Sequence, residues 1–400
     1  MTHSVRVGVF FLGGVEMPDA GAGPPAPVDR RYAQASVWHA HERMLDMGTR
    51  ADALGYDVFW LTEHHFQYEG YEVIGNAILF GAFLAERTRQ IKIGALFNIV
   101  PNWHPLRLAE DFATLHNFSR GRAILGVGRG TVPRETLPLS HGKVSIGSFD
   151  NPDSASADAT NREVFEESME IIKLALESET FSYHGKHFDI PPAGIPDRGG
   201  TVQTLSLLPR PNYPYEIWQA VTSPPTLEYV PRAGHGGVFW LQHHSFIKRN
   251  WERYAEVWQS AHQQPLQPGD KRMLVINVRV EDTFEKAKIA AQPAHDEFWK
   301  FLGPYGWSRG YMADDGKPAR PGLIPTLDQS IQQKIWLIGS PQDVAEGLQF
   351  YIDTLSLQEL CLVPAFPGDS YDIGDEQMTR LAKEVLPLLE PSRRPVLQEA

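Results

Sequence analysis

Residues 59–71, FWLTEHHFQYEGY, decide the fold and point to the chemistry. The apolar run Val58–Leu61 is typical of a buried parallel strand. It breaks abruptly into a polar segment that contains Glu63, His64 and His65. A carboxylate and two imidazoles directly after a buried strand lie where parallel α/β folds place their active sites. Without the rest of the chain, a polar loop with ordinary histidine hydrogen bonds explains the segment equally well.

The composition is that of an acidic chain long enough for a large core. It has 400 residues, a formal net charge of −12 and a sequence pI of about 5.7, which argues against nucleic acid and anionic membranes as partners. Its one cysteine, Cys361, lies in the apolar residues 360–363 and is interpreted as a core residue. The N-terminus shows no signal-peptide pattern, and no stretch is apolar enough to span a membrane. We therefore expect a cytoplasmic protein.

Predicted strands and helices alternate along the whole chain. The apolar runs that predict the main strands begin at Val5, Val58, Ile91, Ala123, Tyr215, Val238, Met273 and Glu359. Helical patterns separate nearly all of them, and such alternation predicts parallel strands with helical crossovers. Eight strand–helix units fit an α/β fold of the closed (β/α)8 TIM-barrel type better than an open doubly wound sheet. No break in composition indicates a second domain, so we expect a single domain over residues 1–400.

Three segments are too long and irregular to be simple connections. They are residues 13–31, which are rich in glycine, proline and alanine, the polar residues 131–161, and residues 293–325. We expect them to be long insertions at the carboxyl-terminal face of the barrel, where they shape its mouth. They carry no pattern from which a substrate can be inferred.

Two further strand ends carry groups that suit a cofactor. Asn98 ends an apolar strand and offers an amide to a ligand, unless it is simply a turn residue. The glycines of residues 126–130, GVGRG, let the backbone approach a flat or phosphorylated ligand closely, and Arg129 is placed to bind a phosphate or carboxylate. This signal is weak alone, because it lacks the Rossmann spacing and the P-loop lysine. A metal site is not expected, since the adjacent His64 and His65 point to opposite sides of an extended chain.

A fourth strand end offers an anion site. Residues 222–226, TSPPT, precede a predicted helix, and hydroxyls and backbone N–H groups at a helix N-terminus attract anions. Simple N-capping explains each hydroxyl of Thr222, Ser223 and Thr226 at least as well. In combination with Arg129, the segment indicates a phosphate-bearing cofactor in the barrel mouth.

These motifs, in this order, resemble the bacterial luciferase family of flavin-dependent monooxygenases. The resemblance covers nearly the whole chain. It rests on EHHF at residues 63–66, IGALFNIVPNWHPLRLAEDFATL at 93–115, SRGRAILGVGRG at 119–130, TSPPT at 222–226 and GSPQDVAEGL at 339–348.

The resemblance implies a two-component enzyme. Reduced FMN would arrive from a separate NAD(P)H:flavin reductase, bind at the carboxyl ends of the barrel strands and react with O₂. The resulting C4a-peroxyflavin would oxygenate a small apolar or carbonyl-bearing substrate. His64 matches the catalytic histidine of the family, where a neutral imidazole would serve as general base or orient the peroxide.

The resemblance also implies which residues hold the cofactor. Leu96 and Phe97 match a pair whose peptide bond is often cis and which would support the flavin ring. The residues that match phosphate-side positions are Arg129, Thr222, Ser223 and Thr226. Luciferase has a cysteine near the flavin where this chain has Gly128, which puts light emission in doubt. Luciferase also has a glutamate where this chain has Thr222. Residues 293–325 match the mobile active-site loop of the family.

Two alternatives remain open from the sequence. One is a deazaflavin-dependent oxidoreductase of the same superfamily, which transfers hydride without O₂. The other is a non-catalytic flavin-binding protein. Because family members commonly pair through helices near the histidine strand, the resemblance also implies a homodimer or a larger homo-oligomer.

Overall fold

Eight parallel strands close into one ring in the part of the chain that the structure, a computed structural model, describes. It describes residues 5–27, 29–130, 132–140, 154–320 and 322–390, with residues 154–156 described by backbone alone. The strands are β1 (Arg6–Phe11), β2 (Val58–Leu61), β3 (Lys92–Ala95), β4 (Ala123–Gly128), β5 (Ile217–Ala220), β6 (Gly236–Phe239), β7 (Arg272–Val280) and β8 (Glu359–Val363). Each pairs with the next, and β8 pairs with β1. The predicted TIM barrel is confirmed; a single domain over residues 1–400 stays a prediction.

Helices surround the ring between successive strands. Those of the described ranges are α1 (Gln34–Leu54), α2 (Ala77–Arg87), α3 (Pro105–Phe118), α4 (Pro133–Leu139), α5 (Ser154–Glu177), α6 (Pro224–Arg232), α7 (His244–His262), α8 (Phe284–Leu302), α9 (Leu327–Gln332), α10 (Pro341–Leu355) and α11 (Tyr371–Arg380). Two short strands extend the sheet, Asn98–Ile99 beside β4 and Trp336–Gly339 beside β7. None of the helices described is long and apolar enough to cross a bilayer.

The barrel interior is filled by large side chains that lie over small ones. Trp60 of β2 is buried and pairs with Gly94 on β3, and its ring also lies over Gly8 on β1, two residues before its partner Phe10 on that strand. A Cβ atom on Gly94 would lie 2.3 Å from the Trp60 ring, and one on Gly8 would lie 2.7 Å from its Nε1. The two glycines therefore make the room that the indole needs.

Charged side chains close the amino-terminal end of the barrel. Arg6 Nη2 lies 2.7 Å from Glu216 Oε2, and Arg6 Nε lies 2.6 Å from Glu359 Oε2. Lys92 Nζ reaches the other oxygen of Glu216 at 2.5 Å. Two cations and two carboxylates thus form a floor, which leaves the opposite, carboxyl-terminal end as the open mouth.

The prediction of an irregular segment at residues 293–325 is wrong at its amino-terminal end. Helix α8 continues through Pro293 to Leu302, and the irregular part begins only after it. Pro293 is exposed, so the carbonyl of Ile289, which loses its helical partner, faces water. The buried stripe of Ala287, Ala291 and Phe298 keeps the helix packed on the barrel across the proline.

Candidate active site

The four predicted segments lie at the carboxyl ends of four adjacent strands. His64 follows β2, and Leu96–Phe97 follows β3, which pairs with β2. Arg129 follows β4, and Thr222 follows β5, which pairs with β4. The ring order therefore brings the histidine loop, the glycine–arginine turn and the TSPPT turn to one side of the barrel mouth.

Two buried carboxylates flank His64. Its Nδ1 lies 3.1 Å from Glu135 Oε1, and its Nε2 lies 3.0 Å from Glu72 Oε2. The carboxylates are 3% and 4% exposed, whereas the imidazole is 17% exposed. Glu72 comes from the loop after β2, and Glu135 comes from α4, which follows β4. Nδ1 thus has a hydrogen bond to Glu135. Nε2 only lies close to Glu72, whose Oε2 has no hydrogen-bond partner in the described structure, and the ring remains in reach of the mouth.

The carboxylates decide the charge of His64. Burial alone would lower the pKa of the imidazole, but the negative charges of Glu72 and Glu135 outweigh it and raise that pKa well above its ordinary value. Burial also acts on Glu135, yet the His64 charge holds the pKa of that carboxyl below its usual range. Burial raises the pKa of Glu72 against the attraction of His64. The structure therefore favours an imidazolium over the neutral imidazole expected from the sequence.

A second line of side chains fixes Glu135. Gln67 Nε2 donates to Glu135 Oε1 at 2.8 Å, and Gln67 Oε1 accepts from Arg134 Nη2 at 3.0 Å. Arg134 in turn makes a two-pronged ion pair with Glu69, at 2.6 and 2.8 Å. The loop after β2 and the start of α4 are therefore joined by hydrogen bonds that leave Glu135 little rotational freedom.

The neighbouring histidine has a different role in the packing. His65 Nε2 lies 3.3 Å from Glu63 Oε1, and Trp103 Nε1 donates to both Glu63 oxygens at 2.9 and 3.1 Å. Glu63 is fully buried. This carboxylate thus anchors the histidine loop to the segment that follows β3, and His65 lies on the side away from the Glu72–Glu135 pair.

The segment after β3 has the backbone geometry that the resemblance implied. The Leu96–Phe97 peptide bond is cis. A Cβ atom on Gly126 would lie 1.7 Å from the Ala95 carbonyl oxygen, so the backbone there admits only glycine. Asn98 Nδ2 donates to the Gly126 carbonyl at 2.9 Å, while its buried Oδ1 has no hydrogen-bond partner in the described structure. The amide predicted to face a ligand therefore retains one unused acceptor.

The arginine of the turn is paired with a carboxylate. Arg129 Nη1 lies 2.8 Å from Asp158 Oδ1 on α5, and Asn161 Nδ2 donates to the Arg129 carbonyl at 3.2 Å. Gly128 precedes it, where a Cβ atom would lie 3.1 Å from Phe97 Cβ. The turn is thus held between β3 and α5, with the guanidinium at the edge of the mouth.

The TSPPT turn caps its helix. Thr226 Oγ1 accepts from the backbone N–H groups of Thr222 and Ser223, at 3.1 and 3.0 Å, and donates to the Ser223 carbonyl at 2.8 Å. Pro224 and Pro225 have no N–H to offer. The capping interpretation is confirmed for Thr226, and the free backbone donors expected there are fewer than the sequence suggested.

Several polar and charged residues of the site were missed by the sequence reasoning. They are Gln67, Glu69, Glu72, Arg134, Glu135, Asp158 and Arg162. Glu72 directly follows residues 59–71, so its position next to the histidine loop was a signal. Glu135 and Asp158 lie in residues 131–161, which have no periodicity to place them. Among the described residues, no cluster of three or more His, Cys, Asp or Glu side chains has the arrangement of a metal site.

Comparison with known proteins decides the family. Residues 5–357 match the luciferase-like monooxygenase family. The chain belongs to this family. It is 26% identical to 3,6-diketocamphane 1,6-monooxygenase of Pseudomonas putida over 372 residues, which cover 87% of this chain and 93% of that protein. It is 24% identical to an F420-dependent glucose-6-phosphate dehydrogenase of Kineococcus radiotolerans over 371 residues, 91% of this chain and 98% of that one.

A solved structure agrees in fold. The oxygenating constituent of 3,6-diketocamphane monooxygenase from the CAM plasmid of Pseudomonas putida, a type II Baeyer-Villiger monooxygenase in complex with FMN, superimposes with a TM-score of 0.73. The match covers 98% of this chain and all of that one at 22% identity. This luciferase-like chain is therefore an oxidoreductase of a superfamily that includes both FMN-dependent and F420-dependent enzymes.

Proposed function

We propose that this luciferase-like protein is the oxygenating component of a two-component, FMN-dependent monooxygenase. The observation that carries the proposal is the His64 site, flanked by Glu72 and Glu135 at the carboxyl end of β2. A separate NAD(P)H:flavin reductase would supply reduced FMN. The substrate would be a small apolar or carbonyl-bearing molecule, as the diketocamphane relative suggests.

The residues at the mouth fit a flavin phosphate ester. The unused Oδ1 of Asn98 is a buried acceptor beside the glycine turn, and a flavin ring offers N–H donors. Gly128 keeps the space near Phe97 free of a further side chain. The guanidinium of Arg129 and the hydroxyls of Thr222 and Ser223 would hold the phosphate, while Thr226, whose hydroxyl donates to the Ser223 carbonyl, would keep the turn in shape. Leu96 and Phe97 would support the ring.

In the reaction, the residues around His64 would hold and position a proton. A bound reduced flavin supplies the electrons that activate O₂. The imidazolium of His64 would donate a hydrogen bond or a proton from Nε2, which makes no hydrogen bond to Glu72 Oε2, to negative charge that develops in the mouth. Glu72 and Glu135 keep that proton on the ring, and Gln67 holds Glu135 in place.

A labelling experiment tests the proposal. The protein, FMN and an independent flavin reductase with NADH would be incubated under ¹⁸O₂ with a panel of cyclic ketones and aliphatic aldehydes. We expect incorporation of one ¹⁸O atom into at least one product, dependent on both the protein and the reductase. Anaerobic reduction of the deazaflavin cofactor by an alcohol or a sugar phosphate, without ¹⁸O incorporation under O₂, would replace this proposal by the dehydrogenase.

The deazaflavin enzyme is the second candidate. It is favoured by the F420-dependent relative, whose similarity to this chain is close to that of the diketocamphane enzyme. A non-catalytic flavin-binding protein is a third possibility from the sequence, and it would bind flavin without turnover over the whole panel. A cytoplasmic location stays a prediction.

We also propose a homodimer that pairs through α2. Leu79 and Phe83 lie one turn apart on this helix and are 59% and 61% exposed. Phe118 at the end of α3 is 80% exposed. Large apolar side chains exposed at helical spacing are typical of a surface that another chain covers.

A further inference from the structure

Asp158 on α5 lies between two guanidinium groups. Its Oδ1 is 2.8 Å from Arg129 Nη1, and its Oδ2 is 2.8 Å from Arg162 Nη2. Each carboxylate oxygen thus has its own cation. Two arginines that converge on one small anion are an arrangement that also suits a phosphate group.

The surroundings keep both guanidiniums in place. Asn161 ties the Arg129 backbone to α5, and Arg162 lies one helical turn from Asp158 on the same helix. Burial lowers the pKa of the Arg309 guanidinium, and the charge of Asp158 opposes that lowering only in part. Glu166 also interacts with the two guanidiniums: burial raises the pKa of its carboxyl, and Arg162 and Arg129 oppose that rise.

Asp158 is the member of the group that water reaches most easily. Its side chain is 47% exposed, compared with 19% for Arg129 and 24% for Arg162. The two guanidiniums hold the pKa of Asp158 below its usual range although burial alone would raise it. The carboxylate is therefore charged at neutral pH, and its rotation into solvent costs only partly exposed ion pairs.

We propose that Asp158 occupies the position of the cofactor's phosphate and that a phosphate monoester displaces it from Arg129 and Arg162. This rests on the proposed function, because the phosphate is that of a flavin bound in the mouth. Asp158 then weakens the binding of phosphorylated flavins without contacting the ring. It sets how strongly the site prefers FMN over riboflavin, which carries no phosphate.

The test is a comparison of binding constants in Asp158→Asn and wild type. Reduced FMN and reduced riboflavin would be titrated anaerobically by equilibrium dialysis. The variant keeps the shape of the side chain but loses the competing charge, so we expect FMN to bind about fivefold tighter, the scale of one partly exposed ion pair. Riboflavin affinity should not change. Asp375→Asn, which removes a surface carboxylate paired with Arg50, is the matched control and should alter neither.

Three results would overturn the inference. FMN affinity that is unchanged or weaker in Asp158→Asn would show that the carboxylate does not compete, and an equal gain for riboflavin would show that it does not act at the phosphate. A wild type that binds no flavin would count against the proposed function alone, and the third result applies to that case. Inorganic phosphate then serves as the probe, and the inference fails if it raises the melting temperature of Asp158→Asn no more than that of wild type.

Discussion

Among single residues, His64 is the one on which the proposed oxygenation depends, because it bears a proton. We predict that His64→Ala retains reduced FMN within about threefold but loses about 10²–10⁴-fold in oxygenation rate, the usual range for a general acid or base. The two values come from dialysis and from steady-state product formation. His39→Ala, which changes an exposed histidine on α1, is the control. Unchanged turnover in His64→Ala would remove this residue from the mechanism.

The charge of His64 makes stability depend on pH in a defined direction. Because the folded-state pKa is raised, the protonated ring stabilises the fold fully below the unfolded value of about 6.5, and that contribution is lost as pH rises through the folded pKa. His64→Gln should therefore lower the free energy of urea unfolding more at pH 6 than at pH 9.5. An equal loss at both values would contradict an imidazolium in the native state.

Among the elements of the fold, the floor of the barrel contains two carboxylates whose pKa values are shifted in opposite directions. Burial raises the pKa of Glu359 to about 7, whereas Arg6 and Lys92 outweigh burial and lower that of Glu216. The contribution of Glu359 is present below its unfolded pKa and lost as pH rises through 7. We therefore predict that Glu359→Gln changes the free energy of unfolding at pH 8 by less than about 1 kcal/mol, in either direction. Glu216→Gln should cost about 3 kcal/mol, because it leaves two cations without their shared partner.

The urea-unfolding comparison of these two variants is internally controlled. Both change one carboxylate of the same floor to its amide. A larger loss in Glu359→Gln than in Glu216→Gln would contradict the assigned charges.

Two glycines of β4 give a second prediction at this scale. Alanine at position 126 would place its Cβ 1.7 Å from the Ala95 carbonyl oxygen. The backbone at Ala95 cannot move aside as easily as a side chain. Alanine at position 128 meets side-chain atoms alone, Phe97 Cβ at 3.1 Å, Phe97 Cγ at 3.4 Å and Ile99 Cδ1 at 3.6 Å. Gly126→Ala should therefore lower the melting temperature strongly or prevent folding, whereas Gly128→Ala should fold and change mainly flavin affinity. Similar melting temperatures for the two variants would count against the packing of β4 on the segment after β3.

The elements also show how far sequence reasoning reaches. The eight strands were predictable because buried parallel strands are short apolar runs between helical patterns. Helix α8 was missed at Pro293, since tertiary packing of its apolar stripe outweighs the local penalty of proline. His64, Arg129 and the TSPPT turn were found because each directly follows a strand. The roles of Glu72, Glu135 and Asp158 were not found, because only the folded chain brings these carboxylates to His64 and Arg129.

At the scale of the whole molecule, the exposed face of α2 predicts the assembly state. Phe83→Glu places a charge on the proposed contact and should convert a homodimer into monomers, with little change in melting temperature because the side chain is exposed in one chain. Light scattering gives the mass. Ile289→Glu, which changes an exposed apolar residue on α8, is the control. A wild-type mass equal to one chain would rule out the dimer.

The central claim, that the mouth of this barrel is built for reduced FMN, has one direct test. Reduced FMN and the reduced deazaflavin cofactor would be titrated into the protein under anaerobic conditions, which needs no knowledge of the substrate. We predict saturable binding of one FMN per chain, at least about tenfold tighter than the binding of the deazaflavin. Tighter binding of the deazaflavin, or no binding of FMN, would contradict it.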